Sequence, residues 1–238
     1  KLPEPTELAT TQTSSLDTAS NVGQETANLS ETNLDTEASL SPDTSSGTSN
    51  ASQDIMSGIS ISEAADVAYD RSDYQSGWSV GTGCDLRARI LQITSLISVT
   101  TSSNGCTVIY GSWIDPYTGE TLTGNPYRGD GTANDLDIDH IIPLTYVNSH
   151  GGADWTNAEK KSYGQSLDGY KNGVYVAVSS SENRKKADSG PSEYYPPNAS
   201  YRCEYATKWR DIARIYGISL DQADYDVVES ILIECSAT

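Results

Sequence analysis

The stretch Leu136-Asp-Ile-Asp-His-Ile-Ile-Pro-Leu144 predicts a β-strand that carries chemistry. One of the two histidines of the chain, His140, directly follows Asp139 within this run of β-prone residues. Histidine and aspartate are costly to bury in such a run unless each has a partner or a chemical task. Because an isolated Asp-His pair is more often structural than catalytic, the stretch alone leaves both interpretations open.

A second strand-like run supplies the context that favours catalysis. Tyr175–Val178 leads into the polar and basic segment Ser179–Asp188, which we expect to be a loop containing Asn183. A carboxylate oxygen of Asp139 and an amide oxygen of Asn183 form a ligand set that suits Mg²⁺, an ion that keeps several of its waters. His140 would then deprotonate a water for in-line attack on phosphorus.

Several motifs resemble the secreted HNH endonuclease family over roughly residues 65–236. The motifs are Asp137-Ile-Asp-His140, Gly152-Ala-x-Trp155, Asn183-Arg-x-Lys, Pro196-Pro and Tyr201-Arg-Cys203. The pattern Asp-Ile-Asp-His-Ile-Ile-Pro with a later Asn-Arg-x-Lys is also similar to the HNH domain of CRISPR effector nucleases.

The resemblance implies an α+β fold with a ββα-metal (His-Me finger) core. It implies that His140 is the general base, that Asp139 and Asn183 bind Mg²⁺ or Mn²⁺, and that phosphodiester cleavage leaves a 5′-phosphate.

One position departs from the family pattern. Family members carry an Asn at the start of the second strand, where this chain has Val174, and Asn172 is the candidate substitute. Asp137 shares a strand face with Asp139, which favours a supporting role over direct ligation.

The charge of the chain bears on its partners in two opposite ways. Arg184, Lys185 and Lys186 form the densest cationic cluster, and we predict that they contact substrate phosphates, although a solvated loop explains them equally well. The formal net charge of −18 argues against tight, sequence-independent nucleic-acid binding. A bound divalent cation would add positive charge where the scissile phosphate lies.

Composition divides the chain into two parts. Residues 1–58 are rich in Ser, Thr and acids and contain no aromatic residue, so we predict a disordered segment followed by one nuclease domain over residues 59–238. No run approaches the roughly 20 apolar residues that span a bilayer.

The cysteines lie far apart rather than in close pairs, which favours disulfides over a zinc site and indicates secretion. Three sequons, at Asn28, Asn50 and Asn198, are candidate glycan acceptors.

Local patterns predict the elements that flank the two strands. Ser62 caps a short helix, and Leu86, Ile90, Ile93 and Ile97 share one face of a helix over residues 84–98. A β-hairpin follows, with strands at residues 107–114 and 120–122 and a turn at Asp115–Gly119.

Two helices end the chain. The first carries Cys203, Ala206, Trp209, Ala213 and Tyr216 on one face and ends at Gly217. Ser219-x-x-Gln222 predicts a capping box for the second helix, which ends near Cys235. A short connection makes the helices antiparallel neighbours, so we predict the disulfides Cys203–Cys235 and Cys84–Cys106, although four cysteines allow three pairings.

The sequence as a whole predicts a secreted endonuclease that acts on DNA with little sequence preference. Two alternatives stay open: a non-catalytic secreted binding or surface protein on a relic HNH fold, and an effector nuclease directed at RNA.

Overall fold

The computed structural model describes residues 55–80, 83–127 and 136–237. Most of the predicted disordered segment, and with it Asn28 and Asn50, lies outside these ranges. The last four residues of that segment are described, and Met56 is only 1% exposed. Met56 therefore belongs to the core of the domain.

The described part of the chain is a mixed α+β structure, as predicted, and it contains two antiparallel sheets. Its helices are α1 (Arg71–Tyr74), α2 (Leu86–Thr94), α3 (Leu144–Ser149), α4 (Asn157–Gly164), α5 (Leu167–Lys171), α6 (Ser180–Lys186), α7 (Arg202–Tyr216) and α8 (Gln222–Ser236). Its strands are β1 (Thr100–Thr101), β2 (Val108–Ile114), β3 (Thr121–Gly124), β4 (Leu136–His140) and β5 (Tyr175–Ser179). The first sheet has the order β1-β2-β3, and β4 pairs with β5 in the second.

The predicted hairpin is confirmed. Strand β2 pairs with β3 from Ile114 opposite Thr121 to Gly111 opposite Gly124. The turn between them closes as its residue types predict: Asp115 Oδ1 accepts from the backbone N–H of Tyr117 at 2.9 Å, and Gly119 adopts a positive φ of 81°.

Helix α2 is shorter than predicted. Asp85 caps its first turn by accepting from the backbone N–H of Ala88, and Leu86 and Ile90 are buried. The helix ends at Thr94, however, and Ile93 is 63% exposed. The backbone N–H of Leu96 instead donates to Ser112 O at 2.7 Å, so the chain leaves the helix to align with β2.

The predicted helix at Ser62 is wrong, because residues 59–70, here called the strap, form no helix and make one isolated β-bridge, between Ile61 and Leu220. Ser62 N–H donates to Leu220 O and Leu220 N–H donates to Ser60 O, both at 3.0 Å. Ala65 N–H donates to Ser149 O at 2.9 Å. These tertiary hydrogen bonds replace those that a helix would make, and the next helix after the strap begins at Arg71.

The two C-terminal helices form as predicted, but the second has a different cap. Gly217 ends α7 with a left-handed φ of 66°. The N-cap of α8 is Asp221 rather than Ser219, so the predicted capping box is wrong. The backbone N–H of Ser219 donates to His150 O, and its hydroxyl lies 2.6 Å from Ser62 Oγ. Ser219 is therefore occupied by tertiary contacts.

Both predicted disulfides are confirmed, Cys84 with Cys106 and Cys203 with Cys235. The second joins the first turn of α7 to the end of α8, so these helices pack antiparallel. One candidate glycan site is already engaged, since Asn198 Nδ2 donates to Pro116 O at 2.9 Å.

Removal of the helix-joining disulfide should lower the stability of the domain. Cys203 and Cys235 lie 32 residues apart, and a cross-link of that span restricts the unfolded chain. The double replacement Cys203→Ala and Cys235→Ala should therefore reduce the free energy of unfolding by about 3 kcal/mol. Equilibrium urea unfolding measures the change. A loss too small to resolve would contradict the expectation that the unfolded state is appreciably constrained by this bond.

Candidate active site

Strands β4 and β5 and helix α6 place the predicted site residues close together. Asp139 lies opposite Val176 and His140 lies opposite Tyr175 in the β4–β5 pair. Helix α6 follows β5 directly, and Ser179 caps it by accepting from the backbone N–H of Glu182. The predicted loop around Asn183 is therefore wrong: the segment is a helix, with its basic residues in the last turn, where the helix dipole favours them.

A cavity of about 440 Å³ lies over this junction. Four residues singled out from the sequence line it: Asp139, His140, Asn183 and Arg184. The other lining residues are Tyr69, Arg71, Ile138, Pro143, Leu144, Thr145, Ala187 and Asp188. The structure thus brings the predicted base and both predicted metal ligands to the wall of one cavity.

The orientation of the His140 ring identifies which nitrogen is available to accept a proton. His140 is 5% exposed, and its Nε2 lies 2.9 Å from Gly164 O. Because a carbonyl oxygen only accepts, Nε2 carries the hydrogen and Nδ1 keeps the lone pair. Nδ1 has no hydrogen-bond partner among the described residues. The ring is held between Trp78 and Tyr163, with Tyr175 at its edge.

Burial keeps the His140 imidazole neutral. The pKa of His140 is lowered from 6.5 to about 3, mainly by desolvation; the hydrogen bond to Gly164 O opposes this shift, and the positive charges of Arg71 and Lys186 contribute to it. The ring is therefore in the unprotonated form that a general base requires at neutral pH.

Asp139 is buried and already has two partners. It is 7% exposed, and Tyr117 Oη donates to its Oδ2 at 2.7 Å. Lys186 Nζ lies 3.1 Å from Oδ1 and 3.0 Å from Oδ2. Burial raises the pKa of Asp139, and the Lys186 ammonium and the Tyr117 hydroxyl counteract this rise only in part.

Lys186 occupies a different place from the one that the sequence predicts. Its side chain is fully buried, and it donates to His140 O at 2.9 Å as well as to Asp139. It is therefore not an exposed phosphate contact but an internal cation that joins the end of β4 to α6. Lys185 is exposed and pairs with Glu182 at 2.8 Å, whereas Arg184 is exposed and forms no ion pair with a described residue.

The segment after His140 is held by hydrogen bonds from Tyr163 and to the backbone of Val174. Tyr163 Oη donates to Ile142 O at 2.6 Å, and the backbone N–H of Ile141 donates to Val174 O at 2.8 Å. Asn172, the predicted bracing residue, is the C-cap of α5 rather than part of β5, and its Nδ2 donates to Tyr216 Oη at 3.0 Å. Lys186 and Tyr163 therefore brace the segment around His140, whereas Asn172 does not contact it.

Asn183 presents an oxygen that suits a cation. Its Nδ2 donates to Asp137 Oδ2 at 3.0 Å, and because that carboxylate only accepts, the amide nitrogen must face it. The Oδ1 atom of Asn183 is left without a partner among the described residues. Asp137 therefore orients Asn183, as a supporting residue would.

The oxygen atoms available at the cavity suit Mg²⁺ or Mn²⁺ if the ion takes only a few protein ligands. Within the described ranges, no three His, Cys, Asp or Glu side chains come together as a metal site. Asp139 and Asn183 offer one carboxylate and one amide oxygen at the same cavity. Mg²⁺ commonly binds through one or two carboxylates and several waters, so these donors are chemically adequate for it.

The second histidine and the hairpin turn have structural roles. His150 is 2% exposed; its Nδ1 lies 2.9 Å from Tyr146 O and its Nε2 lies 3.3 Å from Asp221 Oδ1. It thereby joins the end of α3 to the start of α8. Asp115 is fully buried and accepts from the backbone N–H of Ser179 at 3.1 Å, which connects the hairpin turn to the start of α6.

Tyr69 and Arg71 also line the cavity, although the sequence did not single them out. They belong to the end of the strap and the start of α1, far along the chain from β4. No spacing in the sequence connects these segments. Their position depends on the hydrogen bonds that hold the strap.

Comparison with known proteins supports secretion. No family model and no solved structure matches the chain. The chain is similar to an uncharacterized secreted protein of Arthroderma benhamiae, with 29% identity over 184 residues, which is 77% of this chain and 84% of that protein. No helix in the part of the chain that the structure describes is long and apolar enough to cross a membrane. This relative and the two disulfides identify the chain as a secreted protein.

Proposed function

We propose that the protein is a secreted, metal-dependent endonuclease that hydrolyses phosphodiester bonds of DNA with little sequence preference. The observation that carries the proposal is the convergence of Asp139, His140 and Asn183 on one cavity. The order β4, β5, α6 also agrees with the ββα core that the HNH resemblance implies. Cationic groups at the cavity would contact phosphates, which carry no base sequence, so low specificity is expected.

The proposed chemistry assigns a separate task to each residue. His140 Nδ1 accepts a proton from the water that attacks phosphorus, and the bond from Nε2 to Gly164 O keeps the ring in the required tautomer. Asp139 and Asn183 would hold the divalent cation, and Asp137 orients the Asn183 amide. The cation would stabilise the charge that develops on the phosphate and on the leaving oxygen.

A second candidate function is supported by the surroundings of Asp139. Both of its oxygens lie within 3.1 Å of Lys186 Nζ, and one also accepts from Tyr117. A carboxylate so occupied is a weaker cation ligand than a free one. This favours a non-catalytic secreted binding protein, in which Lys186 permanently replaces the cation.

Cleavage assays distinguish the two candidates. Purified protein is incubated with plasmid, single-stranded DNA and RNA in Mg²⁺, in Mn²⁺ and in EDTA. We expect DNA cleavage with either metal, none in EDTA, and recovery when Mg²⁺ is restored, because Asp139 and Asn183 carry no positive charge and the cation would have to stabilise the charge that develops on the phosphate. Preferential RNA cleavage would identify the effector-nuclease alternative. If no nucleic acid is cleaved with any metal, the nuclease proposal fails and the binding protein is favoured.

A further inference from the structure

Two arginines at the His140 cavity have no carboxylate partner in the part of the chain that the structure describes. Arg71 begins α1, Arg184 lies on α6, and both are exposed and line the cavity. Neither forms an ion pair with a carboxylate of the described residues. Other exposed cations do pair, such as Lys171 with Asp168 and Lys185 with Glu182. In a chain with a formal net charge of −18, two unpaired guanidinium groups at one cavity indicate an anionic ligand.

Arg71 is held in place by its own helix and by the strap. Its Nη2 donates to Gln75 Oε1 at 2.6 Å, one turn along α1. Asp70 caps the helix by accepting from the backbone N–H of Ser72 at 2.8 Å. The strap before it is fixed where Asn148 Nδ2 donates to Ala68 O at 3.1 Å. Since a guanidinium has five N–H donors, four remain on Arg71 for a ligand.

The surroundings restrict the side from which an anion can approach. A neighbouring cavity of about 770 Å³ shares Thr145 and Asp188 with the His140 cavity. The other acidic residues that line it are Glu63, Glu193, Asp221, Asp224 and Asp226. These carboxylates disfavour a phosphate beyond Asp188, so the anion is best placed between that boundary and the two arginines.

We propose that Arg71, together with Arg184, binds the phosphates of the substrate strand next to the scissile bond. Arg71 is then a substrate-binding residue that the strap and α1 supply to a site otherwise built from β4 and α6. The planar guanidinium matches phosphate oxygens with two parallel hydrogen bonds, which an ammonium cannot do. The assignment rests on the proposed nuclease function, but binding can be measured without cleavage.

The test measures binding of a fluorescent single-stranded DNA in EDTA and cleavage in Mg²⁺. Loss of one charge-assisted contact in Arg71→Gln should raise Kd about tenfold. It should also reduce the slope of log Kd against log salt by about one. Arg71→Lys should keep the slope but bind more weakly than wild type. Lys171→Gln removes the same charge from an exposed site on α5 and should match wild type. In cleavage, Arg71→Gln should raise KM more than it lowers kcat.

The outcomes separate this assignment from the proposed function. If Arg71→Gln binds DNA like Lys171→Gln, or if wild type binds no DNA, the assignment is overturned. If binding depends on Arg71 but no metal supports cleavage, the arginine site stands and the nuclease proposal fails. Circular dichroism of Arg71→Gln checks that α1 and the domain remain folded, since the hydrogen bond to Gln75 is lost.

Discussion

Replacement of His140 by alanine should slow phosphodiester cleavage by about 10²–10⁴-fold, the usual contribution of a positioned general base. The variant removes the ring whose Nδ1 would accept the proton of the attacking water, while Asp139 and Asn183 remain in place. DNA binding in EDTA should change little, because the cationic groups of the cavity are retained. The initial rate of plasmid cleavage in Mg²⁺, compared at equal amounts of folded protein, measures the effect.

The other histidine of the chain provides a matched control. His150 is as buried as His140, but it lies outside the His140 cavity and joins α3 to α8. His150→Ala should therefore lose stability while each folded molecule keeps its cleavage rate. Equal rates in His140→Ala and wild type would refute the proposed role of His140. Equal losses in both histidine variants would indicate that the loss reflects damage to the fold.

Replacement of Lys186 by methionine should cost about 3–5 kcal/mol of the free energy of unfolding, because it leaves a buried carboxylate without its cation. Lys186 is fully buried between Asp139 and His140 O, and methionine retains most of its volume. The loss should become smaller in acid, where protonation of Asp139 removes the uncompensated charge. Urea unfolding at neutral and acidic pH measures both effects.

The neighbouring lysine is the control for this change. Lys185 pairs with Glu182, but its side chain is 69% exposed, so the pair is screened by water. Lys185→Met should alter stability by no more than about 1 kcal/mol. Similar losses in the two variants would contradict the view that the buried pair, rather than helix charge in general, stabilises the junction of β4 and α6.

Elements with strong local signals could be predicted from the sequence. The β-branched and aromatic residues and the turn residues around Asp115 specify the β2–β3 hairpin, and Gly217 marks the end of α7 because glycine adopts a positive φ without strain. The disulfide between Cys203 and Cys235 followed from two helices joined by a short connection. In each case the information lies within a short segment of chain.

Local signals failed where distant backbone supplied the hydrogen bonds. Ser62 and Ser219 both resemble helix caps, yet their hydroxyls lie 2.6 Å apart and the strap pairs with Leu220. Helix α2 ends early for the same reason, since Leu96 pairs with Ser112 of β2. A cap motif reflects only a local preference for starting a helix at that residue. In this fold, tertiary hydrogen bonds to the same serines take the place of the caps.

The same distinction between local sequence and tertiary contacts applies to the candidate site. The adjacency of Asp139 and His140 on one strand, and the position of Asn183 just after the next, are properties of the sequence, because strand pairing brings such residues together. Only the tertiary structure decided that Lys186 is internal, that Tyr117 contacts Asp139, and that Arg71 reaches the cavity. These contacts join segments far apart in the chain, and burial, which determines whether a charge meets solvent or a partner, is a property of the packed molecule.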